Sequence, residues 1–324
     1  MAQDHHKEDV TVKKVACVGI LVADIMVSGM NGTPNKGELA RVDTVTIHNG
    51  GNAMTAAINL TKLGVETRMV GKVGGDLFGE FLEKKLNDFG VDTRGLAKDE
   101  NTNSSVSIVL LDKSGERSFL HTVGTNGTFT ENDVDYSIID ECDLVFLTGT
   151  YLMDTFDGAE TAIFLKKCKE MGKTTFLDVC WDAKGRWGEV LDSAMPYIDY
   201  FMPSIDEAVN IAKRDNLEEM ADVFMSRGVK NVVIKTGKTG SYMRLSDWTE
   251  GKTYPSLTGV TAVDTTGAGD SFCSGFLSAF ARDLEPEECI RIANTTGAMC
   301  VTAKGATTGI RSYEETLEFM KAHS

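Results

Sequence analysis

Short apolar runs alternate with helix-like segments along most of this 324-residue chain, and this alternation constrains the fold more than any other feature. Residues 15–22 are almost continuously apolar, which is typical of a strand buried on both faces. Residues 52–63 carry alanine and leucine at helical spacing, and Gly64 ends that helix. Strands that alternate with helices form a mostly parallel sheet covered on both faces. The sequence therefore predicts an α/β fold.

The other elements follow the same pattern. Further strands are predicted at residues 67–73, 144–147, 174–179, 200–202 and 231–235, an antiparallel strand at 241–244, and helices at 77–89, 159–171, 206–213, 217–227, 271–281 and 286–303. Polar, partly alternating segments at approximately 31–49 and 104–123 do not fit a buried sheet. We expect them to form a small second sheet that projects as a lid. We expect one domain over residues 10–324, after a disordered tail at residues 1–9.

Composition excludes several classes of protein. The formal net charge is −15 and no basic stripe occurs, so no nucleic-acid partner is expected. The seven cysteines are scattered without CxxC spacing, which indicates a reduced, cytoplasmic protein. No apolar run approaches the roughly 20 residues of a membrane-spanning helix, and the first residues are polar, so no membrane association is expected.

The segment at residues 264–272 carries the clearest chemical signal. It reads Asp-Thr-Thr-Gly-Ala-Gly-Asp-Ser-Phe and leads into a helical pattern. Small residues at Gly267, Ala268 and Gly269 let backbone N–H groups converge, and the start of a helix adds partial positive charge. Asp270 places a carboxylate at the same point. An anion site beside a carboxylate suits phosphoryl transfer, in which a base takes a proton while charge develops on the phosphoryl group.

Two segments together carry a resemblance to a known family. The first reads Gly50-Gly51-Asn52-Ala53-Met54-Thr55-Ala56-Ala57 and runs to Leu63-Gly64, and the second runs from Val263 to Phe272. In this order they make the chain similar to the ribokinase-like (PfkB) carbohydrate kinases, from about residue 15 to residue 315. The resemblance implies a ribokinase-like three-layer α/β/α sandwich with a mostly parallel central sheet and a small β-sheet lid. It also implies a phosphotransferase that uses ATP and Mg²⁺ to phosphorylate a hydroxyl, mainly a hydroxymethyl group, of a sugar or nucleoside.

The resemblance assigns roles to the catalytic and substrate residues. Asp270 becomes the base that receives the hydroxyl proton, and the amides of Gly267, Ala268 and Gly269 become the anion hole. The predicted substrate-binding residues are Asp24, Gly50, Gly51, Asn52, Thr55 and Arg117. His48 and His121 lie on or beside the predicted lid, within reach of a substrate, although a lone histidine is more often a surface or packing residue.

Nucleotide and metal residues are also implied by the family. The predicted nucleotide-binding residues are Lys235, Gly237, Gly240, Asn294 and Gly267. The family's Asn-x-x-Glu element reads Ser204-Ile205-Asp206-Glu207, so Glu207 is expected to order Mg²⁺ through water, although Ser204 replaces the asparagine. The same four residues also suit a simple helix N-terminus. A monovalent cation, K⁺, is implied at Asp264, Thr266, Cys300, Ala303, Gly305 and Gly309.

The identity of the substrate stays open at this point. A neutral sugar is the leading hypothesis, since no cluster of Lys and Arg marks the substrate loops. A nucleoside kinase is the second, with Phe119, Tyr151 and Phe156 either stacking on a base or belonging to the core. A non-catalytic sugar-binding regulator is the third. Exposed lid edges also favour a homodimer that covers them. A Rossmann dehydrogenase is excluded, because no glycine fingerprint follows the first strand.

Overall fold

The structure, a computed structural model, describes residues 11–113 and 116–323, without the side chain of Arg117. The predicted tail at residues 1–9 lies outside the described residues. The strands are β1 Val15–Gly19, β2 Val22–Met30, β3 Thr44–Gly50, β4 Thr67–Gly74, β5 Asp92–Asp99, β6 Val106–Asp112, β7 Arg117–Thr122, β8 Leu144–Thr150, β9 Thr174–Val179, β10 Tyr200–Phe201, β11 Asn231–Lys235, β12 Gly240–Arg244 and β13 Lys252–Pro255. The helices are α1 Asn52–Lys62, α2 Leu77–Asp88, α3 Tyr136–Asp140, α4 Ala159–Glu170, α5 Gly188–Leu191, α6 Ile205–Ala212, α7 Leu217–Ser226, α8 Ala268–Phe280, α9 Pro286–Cys300 and α10 Tyr313–His323.

A nine-stranded sheet forms the centre of the fold, in the order β13-β12-β11-β10-β9-β8-β1-β4-β5. Its strands from β11 to β5 are parallel, and β12 and β13 are added antiparallel at one edge. The prediction of an antiparallel strand at residues 241–244 is thereby confirmed. The carboxyl ends of the parallel strands meet at one edge of such a sheet, which is where ligands bind in open α/β folds.

Helices cover both faces of this sheet, as the apolar runs predict. Along β1, Ala16 and Val18 belong to one core, which includes residues of α4, α6 and α7. Val15 and Cys17 belong to the opposite core, which includes residues of α1, α2, α8 and α9. Because neighbouring residues of a strand point to opposite faces, β1 needs apolar side chains at every position. The three-layer α/β/α architecture is therefore confirmed.

A small four-stranded sheet, the lid, has the order β3-β2-β6-β7, in which only β2 and β6 are parallel. The prediction located its second half correctly and its first half in part, since β3 lies at the end of the predicted segment 31–49. Val22–Met30 is a lid strand that the prediction left out, whereas residues 31–43 contain no strand. The chain passes from the central sheet into the lid within the segment at 15–22, which was predicted as one strand. Ile20 and Leu21 form the connection.

Two further corrections concern one strand of the central sheet and the helix that follows the glycine motif. Asp92–Asp99 is a strand of the central sheet that was not predicted, because its sequence is mostly polar. Helix α8 begins at Ala268, three residues before the predicted start, so its first turn contains the motif itself.

Within residues 11–113 and 116–323, no helix is long and apolar enough to cross a membrane.

Candidate active site

The first turn of α8, where the sequence predicts an anion site, lies at the carboxyl edge of the central sheet. Gly267 precedes the helix with φ +75°, and a Cβ there would collide with Ala306, so glycine is required. The N–H of Ala268 donates to the carbonyl of Thr265 at 3.2 Å. The N–H of Ala268, one of the three N–H groups predicted to form the anion hole, therefore already has an acceptor. Among the described residues, the N–H groups of Gly267, Gly269 and Asp270 have no acceptor, as expected at the start of a helix.

Asp270 is buried in this first turn, with 8% of its surface exposed. Its Oδ1 accepts a hydrogen bond from Nδ2 of Asn52 at 2.8 Å. No described residue donates to its other oxygen, Oδ2. Burial, reinforced by the negative charge of Asp178, raises the pKa of Asp270 to about 7, against the opposing effects of Asn52 and Lys235. A base with a pKa near neutrality suits proton abstraction at physiological pH.

A buried ion pair lies beside this turn. Nζ of Lys235, at the end of β11, is 2.7 Å from Oδ2 of Asp178 in β9. Burial alone would lower the pKa of Lys235, but Asp178 and the other nearby negative groups raise it above its usual range, so the lysine stays charged. A Cβ on Gly269 would lie 3.5 Å from Nζ, which places the ammonium group next to the open amides. Lys235 was predicted from the sequence, whereas Asp178 was missed.

Ser204 and Glu207 form a reciprocal cap at the start of α6. The N–H of Ser204 donates to Oε2 of Glu207 at 2.7 Å, and the N–H of Glu207 donates to Oγ of Ser204 at 3.4 Å. A bridge between Ser204 and Lys235 brings this cap to the same edge of the sheet as Asp270. Burial raises the pKa of Glu207, and Lys235 opposes that effect. No described residue donates to Oε1 of Glu207, so this oxygen suits a water of a bound Mg²⁺.

Few side chains of the described residues are placed to bind a metal ion. Within the described part of the chain, no three His, Cys, Asp or Glu residues are grouped so as to hold a metal ion. Mg²⁺ commonly keeps several waters and binds proteins through one or two carboxylates together with substrate phosphates. Glu207 as a single carboxylate at the sheet edge fits that mode of binding.

A cavity of about 350 Å³ lies between the lid and the central sheet. Its lining consists of Ile20, Val22, Asp24, Gly51, Asn52, Ser107, Phe119, His121 and Leu152. Burial raises the pKa of Asp24 to about 6, and the Ser107 hydroxyl opposes this shift. A Cβ on Gly50 would collide with the Asp24 carboxylate, and one on Gly51 would lie 2.5 Å from the Ile20 carbonyl oxygen. Both glycines are thus required by close packing at the cavity.

The predicted substrate residues divide into those that reach the cavity and those that do not. Asp24, Gly51 and Asn52 line it, while Gly50 and Thr55 are buried and are not part of the lining. The side chain of Arg117 lies outside the described residues. Ile20, Val22, Ser107 and Leu152 were missed. For Ser107, alternation along its strand could have indicated the lining face.

Of the predicted histidines and aromatic residues, some line the cavity and others do not. His121 lines the cavity, and its Nδ1 is 2.8 Å from Oγ of Ser107. His48 is outside the lining and its Nε2 is 2.8 Å from Oγ1 of Thr46. Phe119 lines the cavity, but Tyr151 and Phe156 are almost fully buried in the core and are not available to stack on a base. For these two residues the core alternative is confirmed.

The predicted nucleotide residues have different local roles. Gly237 has φ +64° and open space around its Cα, which leaves room for a ligand. A Cβ on Gly240 would instead collide with the carbonyl oxygen of Tyr254 in β13. Nδ2 of Asn294 lies 3.4 Å from the carbonyl oxygens of Tyr254 and Pro255, so its amide tethers the edge strand.

Four of the predicted monovalent-cation residues meet beside the first turn of α8. The Asp264 carboxylate accepts from the N–H groups of Thr266 and Gly305, each at 3.0 Å. Sγ of Cys300 lies 3.4 Å from the Thr266 carbonyl oxygen. These contacts hold the loop that contains Asp264 and Thr266 against the segment that contains Cys300 and Gly305. The remaining two, Ala303 and Gly309, lie in the same loop region: the N–H of Ala303 donates to the Cys300 carbonyl at 3.3 Å, and Gly309 packs against that carbonyl.

Comparisons with known proteins agree with this geometry. The sequence model described as pfkB family carbohydrate kinase matches residues 12–312. A ribokinase of Haemophilus influenzae is 27% identical over 319 residues, covering 95% of this chain and 99% of the relative. An uncharacterized sugar kinase of Archaeoglobus fulgidus is 28% identical over 253 residues, covering 78% of this chain and 98% of the relative. The structure of Arabidopsis thaliana ribokinase complexed with ribose and ATP has a TM-score of 0.83 at 25% identity, covering 96% of this chain and 99% of that one.

The match spans nearly the whole chain, and it includes both the first turn of α8 and the cavity residues. The named relatives are kinases, which are phosphotransferases with an alcohol group as acceptor. This chain belongs to the pfkB family of carbohydrate kinases and is an ATP-dependent sugar or nucleoside kinase of the ribokinase type.

Proposed function

We propose that this enzyme transfers the γ-phosphoryl group of ATP to a hydroxyl, mainly a hydroxymethyl group, of a neutral sugar bound under the lid. The position of Asn52 carries the proposal: its side chain lines the cavity and also donates to Asp270. Asp270 itself is outside the cavity lining, and we expect a hydroxyl at the Asn52 end of the cavity to reach its open Oδ2. The acceptor and the base are thus brought together by one residue.

The proposed reaction follows from these positions. Oδ2 of Asp270 takes the proton as the substrate oxygen attacks the γ-phosphorus, and the bond to the β–γ bridging oxygen breaks to release ADP. The open amides of Gly267 and Gly269 face the developing negative charge, and Lys235 adds a positive charge beside them. Mg²⁺, held to Glu207 through water, would neutralise charge on the ATP phosphates.

The chemistry of the cavity supports a neutral acceptor. No Lys or Arg occurs among its described lining side chains, whereas phosphorylated substrates are usually bound by such residues. Asp24 supplies a carboxylate that can accept from vicinal hydroxyls. ADP release with purified enzyme, measured over a panel of neutral sugars, tests the proposal. The expected result is turnover with at least one sugar and its loss in Asp270→Asn. No ADP with any acceptor would contradict it.

A nucleoside is the second candidate, on the basis of the apolar lining. Ile20, Val22 and Leu152 give the cavity an apolar wall, and Phe119 lines it while 63% of its surface is exposed. An exposed aromatic ring suits stacking on a base. The rate of ADP release with nucleosides, compared with the rate with the corresponding free pentoses, decides between the two candidates. A preference for nucleosides that Phe119→Ala removes would favour this second candidate.

The monovalent cation and the dimer remain proposals as well. We propose that K⁺ binds at the loops of Asp264 and Gly305, and a rate increase on replacing Na⁺ by K⁺ would support this.

We also propose that a second copy of the chain covers the lid face opposite the cavity. Val45, Ile47 and Leu120 are exposed there, each by 41% or more. Sedimentation of the wild type and of Ile47→Lys tests the dimer.

A further inference from the structure

Cys180 follows the last residue of β9 and contacts the first residue of α1. Its Sγ lies 3.1 Å from Oδ1 of Asn52. The N–H of Cys180 donates to the Thr150 carbonyl at 3.1 Å, which fixes the backbone at the sheet edge. The contact is therefore made between two rigid elements of the fold, and it uses the amide oxygen of Asn52 rather than the nitrogen that binds Asp270.

The three side chains form a hydrogen-bond chain with only one possible direction. Burial, together with the charges of Asp178 and Asp270, raises the pKa of Cys180 well above its usual range, so it remains a thiol that can donate. Ionised Asp270 can only accept, and the Asn52 amide has one donor atom and one acceptor atom. Sγ–H must therefore donate to Oδ1 of Asn52, and Nδ2 of Asn52 must donate to Asp270.

We propose that Cys180 is a positioning residue that sets the rotation of the Asn52 amide and so keeps a donor on the catalytic carboxylate. The proposal rests on the proposed role of Asp270 as the base. Without the thiol, the amide loses the partner that opposes its rotation. Its carbonyl end can then turn toward Asp270, where it repels the carboxylate. Oδ2 of Asp270 would also lose its fixed direction toward the acceptor hydroxyl.

Other groups act on Asp270 and would be unchanged by a substitution at Cys180. Those that influence its charge are Asp178 in β9, Lys235 in β11 and Glu207 in α6. Cys273, on the same helix as Asp270, is buried and contacts Asp178. The side-chain contact of Cys180 is with Asn52, so substitutions at Cys180 separate its contribution from theirs.

The test compares three substitutions at Cys180 with a matched control. Cys180→Ala and Cys180→Val remove the donor, Cys180→Ser restores one as a hydroxyl, and Cys168→Ala removes a buried thiol from α4, which covers the sheet on the face opposite α1 and α8. We expect Cys180→Ala and Cys180→Val to lower kcat by about 3–10-fold, the effect of one weak hydrogen bond. KM for ATP should not change, and Cys180→Ser should stay within about 2-fold of the wild type.

A pH profile separates positioning from packing. Loss of the steady Asn52 donor should move the acid limb of kcat/KM to higher pH in Cys180→Ala, but not in Cys180→Ser or Cys168→Ala. The same shift should appear in the ¹³C NMR titration of the Asp270 carboxyl carbon, which needs no turnover. An unchanged Asp270 titration in the alanine and valine variants, or an equal loss in Cys180→Ser, would overturn the proposal. Absence of turnover in the wild type would instead overturn the proposed function, and the NMR titration would still decide the role of Cys180.

Discussion

Nζ of Lys235 lies 2.7 Å from Oδ2 of Asp178, and this ion pair is buried beside the first turn of α8. The Asp178 side chain is 2% exposed and the lysine side chain 11% exposed. A buried pair of this kind is costly to form, and removal of one partner leaves the other charge uncompensated. Because it lies beside the open amide of Gly269, we expect it to act electrostatically on the phosphoryl group and not on stability alone.

Replacement of Lys235 by methionine tests that role. We expect kcat to fall by about 10²–10³-fold, as for loss of one preorganised group that stabilises developing charge. The free energy of unfolding should fall by about 3–5 kcal/mol, because Asp178 remains buried without its partner. Steady-state kinetics and urea unfolding measure the two effects.

The matched control for this substitution is Lys230→Met. Lys230 is exposed and immediately precedes β11, so it lies at the end of the strand opposite Lys235, and its replacement should change neither quantity. If Lys235→Met kept full activity while losing stability, the lysine would be a structural residue only. If the control lost activity to a similar extent, the effect could not be assigned to the buried ion pair.

The pH dependence of the reaction should report the pKa of Asp270. Because burial raises that pKa to about 7, kcat/KM should fall about tenfold per pH unit below about pH 7 and level off above it. Asp270→Asn should lower kcat by about 10²–10⁴-fold, since it removes the base and keeps the shape. Initial rates across this pH range, with saturating Mg²⁺, provide the measurement. An acid limb near the ordinary carboxyl pKa of 3.8 would mean that the carboxylate is not perturbed as described.

The same carboxylate should make Asp270→Asn more stable than the wild type at neutral pH. In the unfolded chain the carboxyl loses its proton near its ordinary pKa of 3.8, whereas in the folded chain it keeps the proton up to about pH 7. Folding of the wild type therefore becomes less favourable as pH rises between these two values, and the asparagine avoids that cost. Urea unfolding at several pH values should show the stability difference growing from about pH 4 to about pH 7. A difference that is constant with pH would contradict the raised pKa.

Much of the central sheet could be predicted from the sequence, because its strands are short apolar runs bounded by polar residues. Residues 174–179 and 231–235 were predicted with the bounds that the structure has. The strand at Asp92–Asp99 was not, since it is held by pairing with β4 rather than by its own pattern. The lid strand Val22–Met30 was missed because the apolar run continues from β1 into it without an intervening polar turn.

The candidate site was predictable where a local motif specifies it. The turn around Gly267 and the pair at Gly50-Gly51 are required by close packing, which leaves a mark in the sequence. No local motif in the sequence identifies Asp178 or Cys180 as site residues. They matter because β9 ends beside α1 and α8, elements distant in the chain that only the folded structure brings together.

The last prediction concerns Gly50, whose missing side chain leaves space for the Asp24 carboxylate. Gly50→Ala would place a methyl group on that carboxylate and force it to turn away from the cavity. We expect KM for the acceptor to rise by about 10-fold or more, because a charge-assisted hydrogen bond is lost, while KM for ATP stays the same. Asp24→Ala alone should have a similar effect. In the Asp24→Ala background, Gly50→Ala should then cost little, because the carboxylate that it displaces is already absent. Additive losses in this double-mutant cycle would show that Gly50 acts on the acceptor independently of Asp24.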